Sequence, residues 1–172
     1  MEQPAGNKIT GNPSSHPALS VKWVEDFPDI PLNRNEAYKL RVTSKGVEIE
    51  AITETGVYRA IQTLRQLTEK KGNGIAITGC EITDWPAFRI RGFMQDVGRS
   101  YLSVEELKRE IAILSRFKIN TFHWHLTENQ AWRLESKIFP MLNDSINMTR
   151  MAGKYYTLEE AKDLVAFCKA HQ

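Results

Sequence analysis

The stretch from Arg89 to Arg133 constrains the fold most, because strand, polar turn, amphipathic helix, second strand and second polar turn follow one another without a break. Arg89 to Val97 reads as the first strand and runs into Gly98-Arg99-Ser100. Ser103 with Glu106 three residues on forms a capping box, in which each residue satisfies a free backbone donor of the other. Val104, Leu107, Ile111, Leu114 and Phe117 recur at helical spacing as one apolar stripe. Thr121 to Leu126, rich in aromatic and β-branched residues, returns the chain as a strand. Two strands joined by a helix of this length run parallel. Their polar ends, Asp96 to Arg99 and Thr127 to Gln130, therefore reach one edge. In parallel α/β folds that carboxyl edge is where sites are built.

Before this stretch the pattern is different. Residues 1–17, rich in Gly, Pro, Ser and Asn, read as a flexible lead-in. Ser20 to Val24 alternates as a strand. Glu36 to Val42 and Val47 to Ala51 form a hairpin about Ser44-Lys45-Gly46. A helix is expected from Gly56 to Glu69, burying Tyr58, Ile61, Leu64 and Leu67 and leaving Arg59, Gln62, Arg65 and Lys70 in water. Gly74 to Thr83 reads as one further strand. Residues 18–85 thus predict a small α+β domain. Trp85-Pro86 marks its boundary, since proline holds the residue before it extended. After Arg133 the chain is irregular to Arg150, with a turn near Pro140. A last helix then opens on the Thr157 to Glu160 capping box, with Leu158, Ala161, Leu164, Val165 and Cys168 as its apolar face. Residues 86–172 read as β-α-β-α, far short of the about 250 residues a closed (β/α)8 barrel needs.

Composition excludes several classes of function. With 41% hydrophobic and 26% charged residues and a net charge of +2, the chain forms a core and carries no nucleic-acid footprint. No apolar run approaches the roughly 20 residues of a membrane span, and no basic-then-apolar leader opens the sequence. Cys80 and Cys168 read as reduced thiols.

Three chemistries suggest themselves at the carboxyl edge. His123 and His125, two apart on a strand, point to one face and offer half of a zinc or iron site for a metal-dependent hydrolase. Structural histidines give the same pattern, and no third ligand is evident. Arg99 is a fixed fork of donors suited to two neighbouring hydroxyls. Asp96 and Glu128 either hold it for that purpose or simply brace the loops with it. Paired carboxylates would suit glycoside hydrolysis, but Glu105, Glu106, Glu159 and Glu160 belong to helix starts. Phe122 and Trp124 alternate with the histidines and face the core, leaving Trp132 as an aromatic at the edge. A non-enzymatic carbohydrate-binding module made of residues 18–85 is a further reading.

The run D-W-P-A-F-R-I-R-G-F-M-Q-D-V-G-R and the later H-W-H-L-T-E-N-Q-A-W-R resemble the start of the catalytic barrel of family 20 glycoside hydrolases, the β-N-acetylhexosaminidases. The earlier E-A-Y-K-L-R-V, G-V-E-I-E-A and G-V-Y-R-A-I-Q-T-L-R-Q-L resemble the small α+β domain that precedes it. The resemblance implies an α+β domain followed by the first β/α units of an incomplete (β/α)8 TIM barrel, here residues 86–172. It implies substrate-assisted retaining removal of terminal N-acetylglucosamine or N-acetylgalactosamine, with no cofactor, no metal and no nucleic-acid partner, in a periplasmic or extracellular setting. Arg99 matches the arginine that grips the sugar O3 and O4 hydroxyls, and Glu128 matches an acid that in the family pairs with a histidine from a later strand; Asp96 and His125, at the same edge, are expected to support them. Glu128 stands where the family usually has Asp, Asn129 where it has a second acid, and Ser100 where a histidine often follows. The family's catalytic Asp-Glu pair has no counterpart here, so no catalytic residue is assigned and the chain alone is expected to be inactive. An incomplete barrel is also expected to self-associate through its uncovered strand edge.

Overall fold

The structure is a computed structural model that describes residues 8–10 and 18–171. It divides into two compact units, residues 1–89 and 90–172. Within the predicted lead-in, Lys8–Thr10 form a strand, β1; residues 1–7 and 11–17 lie outside the described residues.

The first unit is built on β2 (Ala18–Trp23), β3 (Tyr38–Thr43) and β4 (Gly46–Ala51), followed by helix α1 (Glu54–Gln66). β5 (Thr68–Lys71), β6 (Gly74–Thr78) and β7 (Cys80–Asp84) complete it. The hairpin β3–β4 is antiparallel as its alternation predicts, β2 adds parallel to β4, and β7 adds antiparallel to β3. β1, β6 and β5 form a separate antiparallel sheet. The inward residues of β3 and β4, from Tyr38 to Ala51, meet Ala60, Val57, Ile61 and Leu64 of α1 in one core.

Three expectations for this unit are corrected. The helix stops at Gln66 rather than Glu69, because Thr68–Lys71 pair with β6 across a turn in which Gly72 has φ +59°. Residues 74–83 form two strands in two sheets rather than one. Arg59 and Gln62 are buried rather than wet, at 2% exposure each. Arg59 is drawn inward by Glu36, whose carboxylate lies 2.9 Å from its Nε. The helix can lie this close because Gly56 has no side chain: a Cβ there would sit 2.5 Å from the Ala37 carbonyl oxygen.

The second unit opens with β8 (Gly92–Asp96), shorter than the predicted strand from Arg89 to Val97, and continues through α2 (Val104–Arg116) to β9 (Thr121–His125). The strands are parallel, with Asp96 beside His125. Both bonds of the Ser103/Glu106 capping box are made. At the other end of α2, Lys118 takes a left-handed φ of 62° while its N–H and that of Ile119 close on the carbonyls of Ser115 and Leu114, the Schellman arrangement that ends helices. A short hairpin follows, β10 (Thr127–Glu128) and β11 (Ala131–Trp132), then two 3₁₀ turns and α3 (Leu158–His171).

Val97, Val104, Leu107, Ile111, Tyr156 and Leu164 form the core of this unit. Phe117 and Val165, assigned to apolar faces by periodicity, are 70% and 50% exposed; Phe117 is the C-cap residue, past the last turn of α2. Phe122 and Trp124 pack inward as their alternation predicts. Cys80 and Cys168 are unpaired thiols, and burial raises both above the ordinary thiol pKa. No helix among the described residues is long and apolar enough to cross a membrane.

Removing one member of a buried ion pair costs about 3–5 kcal/mol, because the other charge stays buried. Glu36→Ala should therefore lower the urea stability of the first unit by about 3 kcal/mol, the lower end of that range. The control is Lys22→Ala, which removes an exposed partner of Glu50 and should leave the midpoint nearly unmoved. Equal midpoints for the two variants would show that Arg59 does not depend on Glu36.

Candidate functional site

The parallel register of β8 and β9 places Asp96 next to His125, and both strands release polar loops at this end. The N–H groups of Val97 and Gly98 both donate to the His125 carbonyl, at 3.0 and 3.3 Å, which folds the first loop against the second. Gly98 lies directly against Glu128. A Cβ on Gly98 would fall 2.9 Å from the Glu128 Cβ and 3.1 Å from its Cγ, so only glycine allows the two loops this approach.

The contact brings Arg99 and Glu128 together. The Arg99 N–H donates to Asp96 Oδ1 at 3.1 Å, its Nε lies 3.1 Å from Asp96 Oδ2, and its Nη2 donates to Glu128 Oε1 at 3.3 Å. His125 Nε2 lies 3.4 Å from the same Glu128 oxygen and 2.8 Å from the Thr127 carbonyl oxygen. The predicted residues Arg99, Asp96, Glu128 and His125 thus form one cluster. The Arg99 side chain is 60% exposed, against 23% for Asp96 and 25% for Glu128. Its guanidinium is held on the Nε and Nη2 side. Three of its five N–H groups take no part in these contacts. A planar fork held from one side with donors to spare is suited to gripping two vicinal hydroxyls.

The metal reading fares differently. His123 and His125 share a face, with ring centroids 6.1 Å apart, but among the described residues acidic ligands gather at His125 and not at His123. Asp96, His125 and Glu128 present donor atoms within 4.8 Å of one another. Both carboxylates, however, are already engaged by the Arg99 guanidinium, which would have to be displaced by a cation. Arg99 with Asp96 and Glu128 thus forms an arginine clamp.

Sequence reasoning assigned no role to two buried residues beneath this edge, of which the first holds the loop that carries Arg99. Arg133 is fully buried and donates to the carbonyls of Val97 and Gly98, the two residues before Arg99. Tyr156 is also fully buried, stacked on Tyr101 at 4.8 Å and edge-on to Trp124 at 4.6 Å, with its hydroxyl donating to the Leu102 carbonyl at 2.6 Å. Burial holds that phenol well above the ordinary tyrosine pKa, so it remains a donor. Neither residue belongs to a periodic pattern. The available signal was a lone arginine directly after a tryptophan in an irregular segment.

The chain matches two family profiles end to end: glycosyl hydrolase family 20, domain 2, over residues 4–85, and glycosyl hydrolase family 20, catalytic domain, over residues 88–172. It is 42% identical to a beta-hexosaminidase of Porphyromonas gingivalis, a match covering 96% of this chain and 21% of that protein. It is 36% identical to a beta-hexosaminidase of Vibrio furnissii, covering 76% of this chain and 24% of that protein. Among solved structures, it resembles an exo beta-N-acetylglucosaminidase from Vibrio harveyi in complex with N-acetylglucosamine, with a TM-score of 0.77 and 34% identity over 89% of this chain and 26% of that one. A beta-N-acetylhexosaminidase from Bacteroides fragilis gives a TM-score of 0.75 and 33% identity over 89% of this chain and 31% of that one. The chain spans only about a fifth to a third of the length of these relatives.

Gly98→Ala should push Glu128 off the Arg99 guanidinium, and overpacking of this kind costs about 1–3 kcal/mol. The expected result is a lower urea midpoint for the second unit, together with displaced Glu128 and Arg99 side-chain resonances. A variant with wild-type stability and unmoved resonances would show that the two loops do not meet at Gly98.

Proposed function

The chain belongs to glycosyl hydrolase family 20, and from that premise we propose that it forms part of an exo-acting β-N-acetylhexosaminidase. On this reading, residues 18–85 are the small domain that precedes the barrel. Residues 86–172 are the first β/α units of a (β/α)8 barrel. The single observation that carries the proposal is the Arg99 clamp. A guanidinium is held by Asp96 and Glu128 at the carboxyl ends of two parallel strands, with donors left over for a ligand.

The substrate is a glycan ending in β-linked N-acetylglucosamine or N-acetylgalactosamine. Arg99 binds its O3 and O4 hydroxyls and fixes the ring relative to the barrel edge. Asp96 and Glu128 hold the guanidinium in position, and His125 buttresses Glu128. The reaction is substrate-assisted, a recognised departure from the two-carboxylate scheme. The acetamido carbonyl oxygen attacks the anomeric carbon as the bond to the leaving oxygen breaks. A carboxylic acid protonates that oxygen, and water then opens the cyclic intermediate from the opposite face, so that the β configuration is retained. These steps need an orienting aspartate and an acid that the present residues do not supply, since no Asp-Glu dipeptide occurs in the sequence. The role of these residues is to bind and orient. The uncovered inner face of β8 and β9, where Met94 is 53% exposed, favours self-association when these residues stand alone.

The test compares two proteins. The 172-residue chain alone should not hydrolyse p-nitrophenyl N-acetyl-β-D-glucosaminide. A polypeptide in which the chain is continued by the rest of a family 20 catalytic domain should hydrolyse it, with the β-anomer seen first by proton NMR and with no loss of rate in a chelator. Cleavage by the 172-residue chain, first appearance of the α-anomer, or abolition by chelation would each overturn the proposal.

A further inference from the structure

The loop that carries Arg99 is held from beneath by a side chain that the proposed chemistry does not use. Arg133 is fully buried, and every oxygen it binds is a backbone carbonyl. Its Nε donates to Val97 at 3.0 Å, and its Nη2 donates to Gly98 at 3.2 Å and Arg150 at 2.9 Å. Its Nη1 donates to Met151 at 3.0 Å and Lys154 at 2.7 Å. A guanidinium presents five N–H donors in a rigid plane, so five carbonyls saturate it and leave it no freedom to turn.

These bonds leave the main chain before Arg99 little latitude. The N–H groups of Val97 and Gly98 donate to the His125 carbonyl, while their own carbonyls accept from Arg133. All the backbone polar groups of the two residues leading into Arg99 are therefore engaged. The far side of the loop traces to the same side chain. Arg133 binds the carbonyl of Met151, a residue in the left-handed conformation with φ 45°. Such a conformation persists only where its surroundings over-determine it. The Met151 sulfur in turn accepts the Tyr101 N–H at 3.1 Å. Arg99 and Ser100 are thus bracketed by residues fixed through Arg133 on both sides.

We infer that Arg133 is a positioning residue for Arg99: its buried guanidinium, by gathering the carbonyls of residues 97, 98, 150, 151 and 154, sets where the Arg99 fork meets the ligand. The consequence for catalysis rests on the reading of Arg99 as the sugar grip; the positioning itself does not. Arg133 touches no substrate. It acts through the backbone, which is why its loss should alter Arg99 while Asp96 and Glu128 are still present.

The direct test is the side-chain ¹H–¹⁵Nε spectrum of the full chain, with the Arg99 signal identified by its loss in Arg99→Lys. In Arg133→Met the Arg99 signal should move to the position of a free arginine while amides of the first unit stay in place. Arg133→Lys, which keeps the charge and loses the fork, should restore it in part and serves if the methionine variant does not fold. An unchanged Arg99 signal in either folded variant overturns the inference.

In the catalytically competent polypeptide, Arg133→Met should lower kcat/KM by about a hundredfold, the scale of a group misplaced by about 1 Å. It should cost nothing further in an Arg99→Ala background. A full additional loss in that background, the mark of a merely structural role, also overturns the inference. If Arg99→Ala itself leaves kcat/KM unchanged, the sugar-grip reading fails, and the Arg99 signal alone decides the positioning.

Discussion

The second unit depends on a buried positive charge whose partners among the described residues include no carboxylate. Isolating an arginine from water costs several kcal/mol unless its donors are satisfied. Arg133 meets the requirement with five carbonyl dipoles rather than one counter-ion. The desolvation lowers its pKa from the ordinary arginine value, yet a guanidinium so satisfied stays charged. The arrangement has a structural corollary. A carboxylate partner would fix one point, whereas five carbonyls fix two loop segments, residues 97–98 and 150–154, that contribute no regular structure of their own. Irregular backbone is what a binding edge needs. Arg133 gives these segments a defined shape.

Magnitudes separate the three arginines that matter. The Arg59–Glu36 pair is buried, with side chains 3% and 16% exposed, and belongs to the stability of the first unit. The Arg99 clamp is largely open to solvent, and ion pairs of that kind contribute about 0–1 kcal/mol. It is therefore a poor fastening for the loops, which Arg133 and the Gly98 contact already hold. An arginine held by two acids in a place where it adds little stability is better explained by what its remaining donors bind. Spacing alone does not distinguish a bracing role from a gripping role; the 60% exposure of the Arg99 side chain supports the gripping role proposed for it.

Much of this was legible in the sequence, for identifiable reasons. The hairpin, the capping box at Ser103, the parallel pairing of Gly92–Asp96 with Thr121–His125, and the gathering of Asp96, Arg99, His125 and Glu128 follow from periodicities of two and 3.6 with polar residues at strand ends. What failed was local competition. Residues 68–71 can serve as helix end or strand, and pairing with Gly74–Thr78 decided it. Arg59 looked solvent-exposed because periodicity does not register a carboxylate arriving from Glu36, outside its helix. Arg133 closes the H-W-H-L-T-E-N-Q-A-W-R motif, but its role, like that of Tyr156, was illegible because their partners are backbone carbonyls, which leave no trace in residue identity. The histidine pair suggests metal chemistry, yet among the described residues His125 and not His123 joins the acids.

Removing a hydroxyl from the substrate tests whether Arg99 grips the ring hydroxyls of an N-acetylhexosamine. The measurement is the ratio of kcat/KM for p-nitrophenyl N-acetyl-β-D-glucosaminide to that for its 4-deoxy analogue. It is made in the catalytically competent polypeptide with Arg99 and again with Arg99→Ala. A hydrogen bond to a charged group is worth about 1.5–3 kcal/mol, so the ratio should be about tenfold or more with Arg99 in place. It should collapse toward one in Arg99→Ala. The same large ratio in both proteins would contradict the claim, because the O4 hydroxyl would then be held by some other group.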